Sequence, residues 1–309
     1  MPSFLKMLLG KREKMFDTHT HLNFKDFDPS TPLRTGGKVD QVIKEAQEAG
    51  VEKMIVVGTN VETSKKAVGL AQKYDCLYAA IGIHPHHIFE YVDSEIAASQ
   101  TPRKDVIAKR LVKQSLEHDL KEIEQLLSNP KVIAVGEVGM DRHNYGNTKY
   151  PNYQVSKEFI DLQKQAFIAQ IKLALKYKKS LVIHNREAAK ETLEILEQNW
   201  DKNLEGRAVF HCCEADQRLL NFAVKYHIFI GIDGDVTYNK AKQEFVKKVP
   251  LELLVLETDS PFLVPAGLKF PNTPKNLNFI AEFIANNVRI DIEELKKVTL
   301  KNTLSLFKL

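Results

Sequence analysis

The chain has 309 residues, 43% hydrophobic and 27% charged, which is ample apolar material for one large core, and at this size a single domain is the default. Its formal charge of +4 is compatible with a polyanionic substrate and far from a histone-like basic excess. Cys76 and the adjacent Cys212 and Cys213 form an odd set without a disulfide framework, and no stretch approaches about 18 unbroken apolar residues, so a cytoplasmic protein without a membrane span is expected.

From the N-terminus, Phe4–Leu9 is a short apolar patch broken by Lys6, too short for a membrane span or a signal segment. Residues 1–13 read as a flexible extension, with Met15 as an alternative start because the strand pattern begins there. Short β-branched runs then alternate with longer segments of helical period, the pattern of repeated βα units around a parallel sheet. Strands are predicted at Lys14–Asp17, Lys53–Val57, Leu77–Ile83, Val132–Gly136, Ser180–Ile183, Ala208–Phe210, Ile228–Ile230 and Leu253–Leu256. Several are continuously apolar, as doubly buried strands are. Helical spacing marks Gln41–Ala49, Glu62–Lys73, Lys157–Lys176, Ala188–Gln198, Ala215–Lys225 and Pro274–Asn287, and Asp291–Phe307 adds a terminal helix with Asp291 as its N-cap. The charged stretch 89–131, with an extra helix over Arg103–Leu127, reads as an elaborated βα connection near the site. Eight units imply an α/β fold, a TIM-type (β/α)8 barrel, and without repeats or a low-complexity linker residues 1–309 are read as one domain.

In such a barrel the carboxyl ends of the strands converge on one face, so residues scattered over about 240 positions can meet around one metal centre. The chain places imidazoles and carboxylates at those ends. His19 and His21, two apart in extended backbone, point to one side and can reach one cation. Glu137 follows a run too apolar to hold a carboxylate without a cation or several donors. His184 and His211 end successive apolar strands, and Asp259 follows the eighth through Glu257-Thr258. A carboxylate there can bind metal, orient water or accept a proton. His118 and His227 read as structural, and of the adjacent Cys212 and Cys213 at most one faces the site.

The ordered set His19-Thr20-His21, Gly82-Ile83-His84-Pro85-His86, Gly136-Glu137-Val138-Gly139-Met140-Asp141, Ile183-His184-Asn185-Arg186, His211-Cys212 and Glu257-Thr258-Asp259-Ser260-Pro261 resembles the TatD family of metal-dependent deoxyribonucleases. The likeness runs from Phe16 to Phe307 and includes Gln165-Ala166-Phe167 and Gln170. It implies two divalent ions (magnesium, manganese or zinc), with His19, His21, Glu137 and Asp259 around one, Glu137, His184 and His211 around the other, and Glu137 bridging. It further implies that His84 and Arg186 contact a substrate phosphate and that Asp259, Glu137 and His84 act in catalysis. The expected reaction is cleavage of DNA, with RNA a further substrate, from the 3′ end by a metal-activated water, in a monomer or weak oligomer. A planar guanidinium suits phosphate because it donates to two oxygens at once and stays charged.

Three departures bear on substrate choice: Cys213-Glu214-Ala215 replaces an aromatic and a glycine after His211-Cys212, Arg142-His143 replaces an aromatic pair, and Lys269-Phe270-Pro271-Asn272 lacks the arginine before Asn. The competing readings are an amide or lactone hydrolase of the amidohydrolase type, an aminoacyl-tRNA deacylase, and a non-catalytic nucleic-acid binder. The first often bridges its metals through a carboxylated lysine, where this chain has Glu137. The last would retain buried carboxylates and imidazoles without a compensating ion, at a cost.

Overall fold

The computed structural model describes residues 14–27, 39–92, 102–146, 148–150 and 153–309, with the side chains of 102–113 excepted. The expected extension over 1–13 lies outside the described residues, as do residues 93–101 of the elaborated connection. Eight strands form one parallel sheet in sequential order, β1 (Met15–Thr20), β2 (Val51–Val57), β3 (Leu77–Ile81), β4 (Val132–Asp141), β5 (Ser180–Arg186), β6 (Ala208–Phe210), β7 (Phe229–Ile232) and β8 (Leu254–Leu256). The barrel closes where β1 meets the segment after β8. Thr20 bridges Ser260, Thr18 Oγ1 donates to Leu256 O at 3.1 Å, and His21 N donates to Ser260 O at 2.7 Å.

Nine α-helices are described: α1 (Val39–Glu48), α2 (Val61–Lys73), α3 (Pro102–Leu126), α4 (Lys157–Lys176), α5 (Ala189–Asn199), α6 (Gln217–Tyr226), α7 (Lys240–Val246), α8 (Leu277–Val288) and α9 (Ile292–Phe307). The expected elements are all present, and α3 stands where the extra helix was predicted. Asp291 caps α9 as expected, its side chain accepting from Glu293 N and Glu294 N. The sequence reading had no α7, whose seven residues are too few for a periodic signal. Strands β1, β4 and β5 run further than predicted, so that His19, Glu137 and His184 lie within them rather than just beyond. Their polar ends do not look like apolar strand in sequence, but parallel pairing continues, with Gly139 registered on His184 and Asp141 on Arg186.

Alternation along the strands separates two apolar layers. Met54 and Val56 of β2, Leu181 and Ile183 of β5, and Leu254 and Leu256 of β8 pack with the helices. The residues between them, Ile55, Val57, Val182 and Val255, form a second cluster with Phe16, Ala80, Ala134, Val209 and Phe229. That cluster fills the barrel interior, and Leu306 and Phe307 at the end of α9 join it from below, where Ser180 Oγ at the start of β5 donates to Leu306 O at 2.6 Å. Two residues further along the same inward face, Val182 gives way to His184, Val209 to His211 and Val255 to Glu257. The period of the strand thus stacks the polar site directly on an apolar floor.

Two fully buried glutamines of α4 hold the upper strand ends. Gln170 accepts from Ile83 N at 2.7 Å and donates to Ile83 O at 3.1 Å, beside His84. Gln163 does the same for the backbone of Asp141, at 3.0 Å each way. Backbone groups that leave the strand ladder inside a protein must find such partners.

Candidate metal centre

At the seam of the barrel, Asp259 N donates to His19 O at 2.9 Å, which brings a carboxylate from one end of the chain to two imidazoles from the other. Asp259 has a φ of 51°, in the left-handed region that aspartate tolerates better than branched residues do. His19 Nε2 and His21 Nε2 face each other at 3.3 Å. Asp259 Oδ1 lies 3.3 Å from His21 Nε2 and 3.7 Å from His19 Nε2, and Glu137 Oε2 lies 3.4 Å from His19 Nε2. His21 Nδ1 is 3.0 Å from the Val57 carbonyl, which can only accept, so the Nδ1 proton points there and the Nε2 lone pair points into the site.

The other oxygen of Glu137 serves a second group. Oε1 is 2.7 Å from His184 Nδ1, 3.3 Å from His84 Nε2 and 3.4 Å from His211 Nε2. His211 Nδ1 lies 3.1 Å from Glu257 Oε1, a close charge contact outside hydrogen-bond alignment, and its Nε2 faces Glu137. The opposite ring nitrogen of His184 is 3.2 Å from Asp141 Oδ2. His84 Nδ1 accepts from His86 N at 3.0 Å, which puts the proton of a neutral His84 on Nε2, aimed into the site.

Burial and close charges set the protonation of this cluster. Burial opposes ionisation of Glu137, yet the imidazoles of His84, His211, His184 and His19 hold it well below the usual carboxylate range. Burial alone would make His184 neutral, but Asp141 and Glu137 raise its pKa to about 9. For His211, Glu257 and Glu137 likewise outweigh burial and raise it to about 10. His84, with burial dominant, falls to about 4 and is neutral at pH 7. Burial also raises Asp17 to about 8, and its carboxyl sits against Thr258, whose Oγ1 donates to Oδ2 at 2.6 Å.

These residues fit a divalent cation. His19 Nδ1 is buried with no hydrogen-bond partner, and its Nε2 faces a second ring nitrogen and two carboxylates. The donor atoms of His19, His21 and Asp259 lie within 4.8 Å of one another, and Glu137 Oε1 stands 2.7 Å from His184 Nδ1 and 3.4 Å from His211 Nε2. Imidazole nitrogens with carboxylate oxygens are a usual donor set for such ions. A further group, Cys212, Asp233 and Asp235, is different: Lys242 Nζ is 2.8 Å from Asp235 Oδ1 and 3.4 Å from Asp233 Oδ2, so an ammonium already supplies its positive charge.

All of the residues singled out in the sequence, His19, His21, His84, Glu137, His184, His211, Asp259 and Arg186, are brought to the top of the barrel. A cavity of about 1010 Å³ opens there, lined by His21, His84, Glu137, His184, Arg186, His211 and Asp259 among others, while His19 is fully buried behind them. Arg186 does not pair with Glu187, which instead contacts His143 Nδ1 at 2.6 Å. Its Nη1 donates to Tyr145 OH at 3.0 Å, and that hydroxyl donates to Asp141 Oδ2 at 2.7 Å. Sequence reasoning gave no role to Asp141, Tyr145 or Glu257. Asp141 and Glu257 stood within the quoted motifs, and an acidic residue after an apolar strand is a signal they share with Glu137. Tyr145 carried no such signal. Of the two cysteines, Cys212 lines the cavity and Cys213 is buried in the helix-facing core.

A closed parallel barrel whose upper rim gathers imidazoles and carboxylates around cation-sized gaps is the architecture of metal-dependent hydrolases. The family model described as TatD related DNase matches residues 16–308, and the chain belongs to that family. It is 31% identical over 298 residues to the uncharacterized metal-dependent hydrolase YabD of Bacillus subtilis, covering 96% of this chain and 99% of that one. It is 32% identical over 282 residues to the 3′-5′ ssDNA/RNA exonuclease TatD of Edwardsiella piscicida, covering 88% and 94%. Among solved structures, that of YJJV, a TatD homolog from Escherichia coli K12, superposes with a TM-score of 0.75 at 25% identity, covering 96% of this chain and 98% of that one. Among the described residues no helix is long and apolar enough to cross a membrane.

Proposed function

We propose that this TatD-family metal-dependent hydrolase is a nuclease that cleaves phosphodiester bonds of DNA from the 3′ end, with two divalent ions as cofactors. The observation that carries the reading is the division of Glu137, whose Oε2 faces His19 while its Oε1 faces His184 and His211. One carboxylate between two sets of ring nitrogens is what a shared ligand requires. Divalent ions held there supply Lewis acidity and bring the pKa of a coordinated water toward neutrality. The name of the Edwardsiella relative supports nucleic acid as substrate. The three thiols, none of them in a disulfide, support a cytoplasmic location.

The chain's own groups then divide the work. Asp259, the ligand-type carboxylate most open to the cavity, orients the attacking water and accepts its proton. His84, neutral with its proton on Nε2, donates to a non-bridging phosphate oxygen. Arg186 contributes a permanent positive charge from the end of β5, held by Tyr145. Asp141 couples the two halves, because it accepts from Tyr145 and touches His184.

Hydrolysis of end-labelled single-stranded DNA by metal-stripped protein tests the reading, with magnesium, manganese or zinc restored separately and Glu137→Ala as control. Nucleotide release that needs both the metal and Glu137 is the expected result. Stoichiometric metal binding without cleavage would reject the nuclease and move the substrate to esters or amides.

A further inference from the structure

Among the described residues, three of the exposed large apolar side chains, Phe262, Leu268 and Phe270, lie in the one segment that follows Asp259. Phe262 is 43% exposed and Phe270 is 49% exposed, and both line the cavity above the metal centre. The segment is fastened rather than loose. Phe262 N donates to Asp259 O at 2.8 Å, and Ala266 N donates to Thr237 Oγ1 at 2.8 Å. Asn272, fully buried, donates from Nδ2 to Thr258 O at 2.8 Å and from N to Pro261 O at 2.9 Å. A backbone tied down this closely holds the phenyl rings out toward water instead of folding them into the core beneath. Phe24 extends the surface inward, stacked on the ligand-type His21 at 4.4 Å between centroids and edge-on to Phe262 at 6.2 Å.

The opposite side of the cavity has another chemistry. Phe24 follows β1, and Phe262 and Phe270 follow β8, so the aromatic wall stands over the seam of the barrel. Arg186 ends β5 and Tyr145 follows β4, half a turn around the sheet order, and both line the same cavity. A cavity with aromatic rings on one side, a guanidinium on the other and carboxylate-imidazole groups between them matches a nucleotide unit, which is apolar and flat at one end and anionic at the other. Phe270 stands in the segment Lys269-Phe270-Pro271-Asn272, which lacks the family's arginine before Asn.

We propose that Phe262 and Phe270 form a nucleobase-stacking subsite that selects an unpaired terminal nucleotide. The proposal deepens the nuclease reading and rests on it. Every base offers a π-face, so such a wall accepts any sequence. In a duplex both faces are covered by neighbouring pairs, and a base has to leave the stack before it can meet the rings.

The test uses full-length wild-type protein, Phe270→Ala and Phe262→Leu, with short single strands that carry either a base or an abasic analogue at the 3′ terminus. Affinity is read by fluorescence anisotropy in chelator, and rates are read with metal restored. Wild-type protein is expected to favour the base-bearing strand by on the order of tenfold, and each variant to lose most of that preference through KM rather than kcat. Phe262→Leu keeps apolar volume, so an unchanged melting curve separates lost stacking from misfolding. Equal affinity of wild-type protein for base and abasic strands, or an unaltered preference in both variants, overturns the subsite. Base-selective binding without cleavage under any metal keeps the subsite and rejects the nuclease. Cleavage without base selectivity does the reverse, and absence of both rejects both.

Discussion

The lower half of the barrel and its upper rim are built on the same strands to opposite specifications. Below, Ile55, Val57, Val182, Val209, Phe229 and Val255 of the parallel strands meet Leu306 and Phe307. Above, one step along the same inward faces, stand His184, His211 and Glu257, with carboxylates and imidazoles within 4 Å of each other. The lower layer gains free energy by leaving water. The upper one loses it, since buried charges are stable only when paired or bound to a cation. Left-handed backbone at Cys212, Asp259 and Leu263 adds to that cost on the rim, at about 1–3 kcal/mol per residue. The rim stands on a floor of buried apolar side chains.

Substitutions should therefore separate the two halves cleanly. The largest effect on turnover is expected from Glu137→Ala or Asp259→Ala, a loss of at least about a thousandfold with the barrel still folded, as read by kcat and circular dichroism. Wild-type rates in either variant would show that the rim is not catalytic. In the floor, Phe229→Ala should cost about 3–5 kcal/mol in denaturant unfolding while the folded fraction keeps most of its turnover. A variant that lost activity without losing stability would merge the two halves. At the boundary, Gly231 is tested by Gly231→Ala, because a Cβ there would stand 2.6 Å from both oxygens of Glu257. Displacement of that carboxylate should remove its charge contact with His211 and weaken metal affinity about 10- to 100-fold, measured by competition with a chelating dye. Unchanged affinity would show that Glu257 does not act on the metal site through His211. Smaller again, Tyr145→Phe removes the hydroxyl between Arg186 and Asp141 and should lower kcat/KM by about tenfold or less, with the melting temperature nearly unchanged.

The pH dependence of the metal-free protein gives the comparison a sign. His184 and His211 are raised in the folded state to about 9 and about 10, so their stabilisation is complete below the ordinary histidine value and disappears as pH climbs through 9 to 10. Glu137 and Asp141 are depressed, so their contribution is present above the ordinary carboxylate values and is lost as pH falls below them. Thermal melts in chelator should peak at mildly acidic pH and decline on both sides. Metal binding displaces the histidine protons, so affinity for the cation should rise with pH over the same alkaline range. Melts that rise from pH 6 to pH 9 without metal would contradict the charged His184–Glu137–Asp141 arrangement.

Much of this was legible in the chain because strand period and barrel geometry act together. An inward residue two positions beyond an inward valine must reach the rim, which is why His184 and His211 could be placed by spacing. Their grouping with Glu137 was what the resemblance to the TatD family implied. The extent of the strands was less legible: β4 continues through Gly136-Glu137-Val138-Gly139, where glycines and a carboxylate hide the apolar run. Asp141, Glu257 and Tyr145 act by touching other side chains, and contacts between residues distant in sequence leave no local pattern. Helix α7, which supplies the buried ammonium of Lys242 to Asp233 and Asp235, was too short to show periodicity.

The seam of the barrel also has a bearing on biosynthesis. Asp17 receives the hydrogen bond of Thr258 across 241 positions, and Thr18 donates to the Leu256 carbonyl across 238, in the same layer that sets His19 beside Asp259. A growing chain that has not yet released β8 has the two imidazoles at one edge without the Asp259 carboxylate that faces them in the closed barrel. The full set of rim side chains is therefore gathered only on ring closure, because Asp259 N donates to His19 O at 2.9 Å only when the two ends of the sheet have met. The long-range closure that makes such a fold slow to form is also what completes the rim.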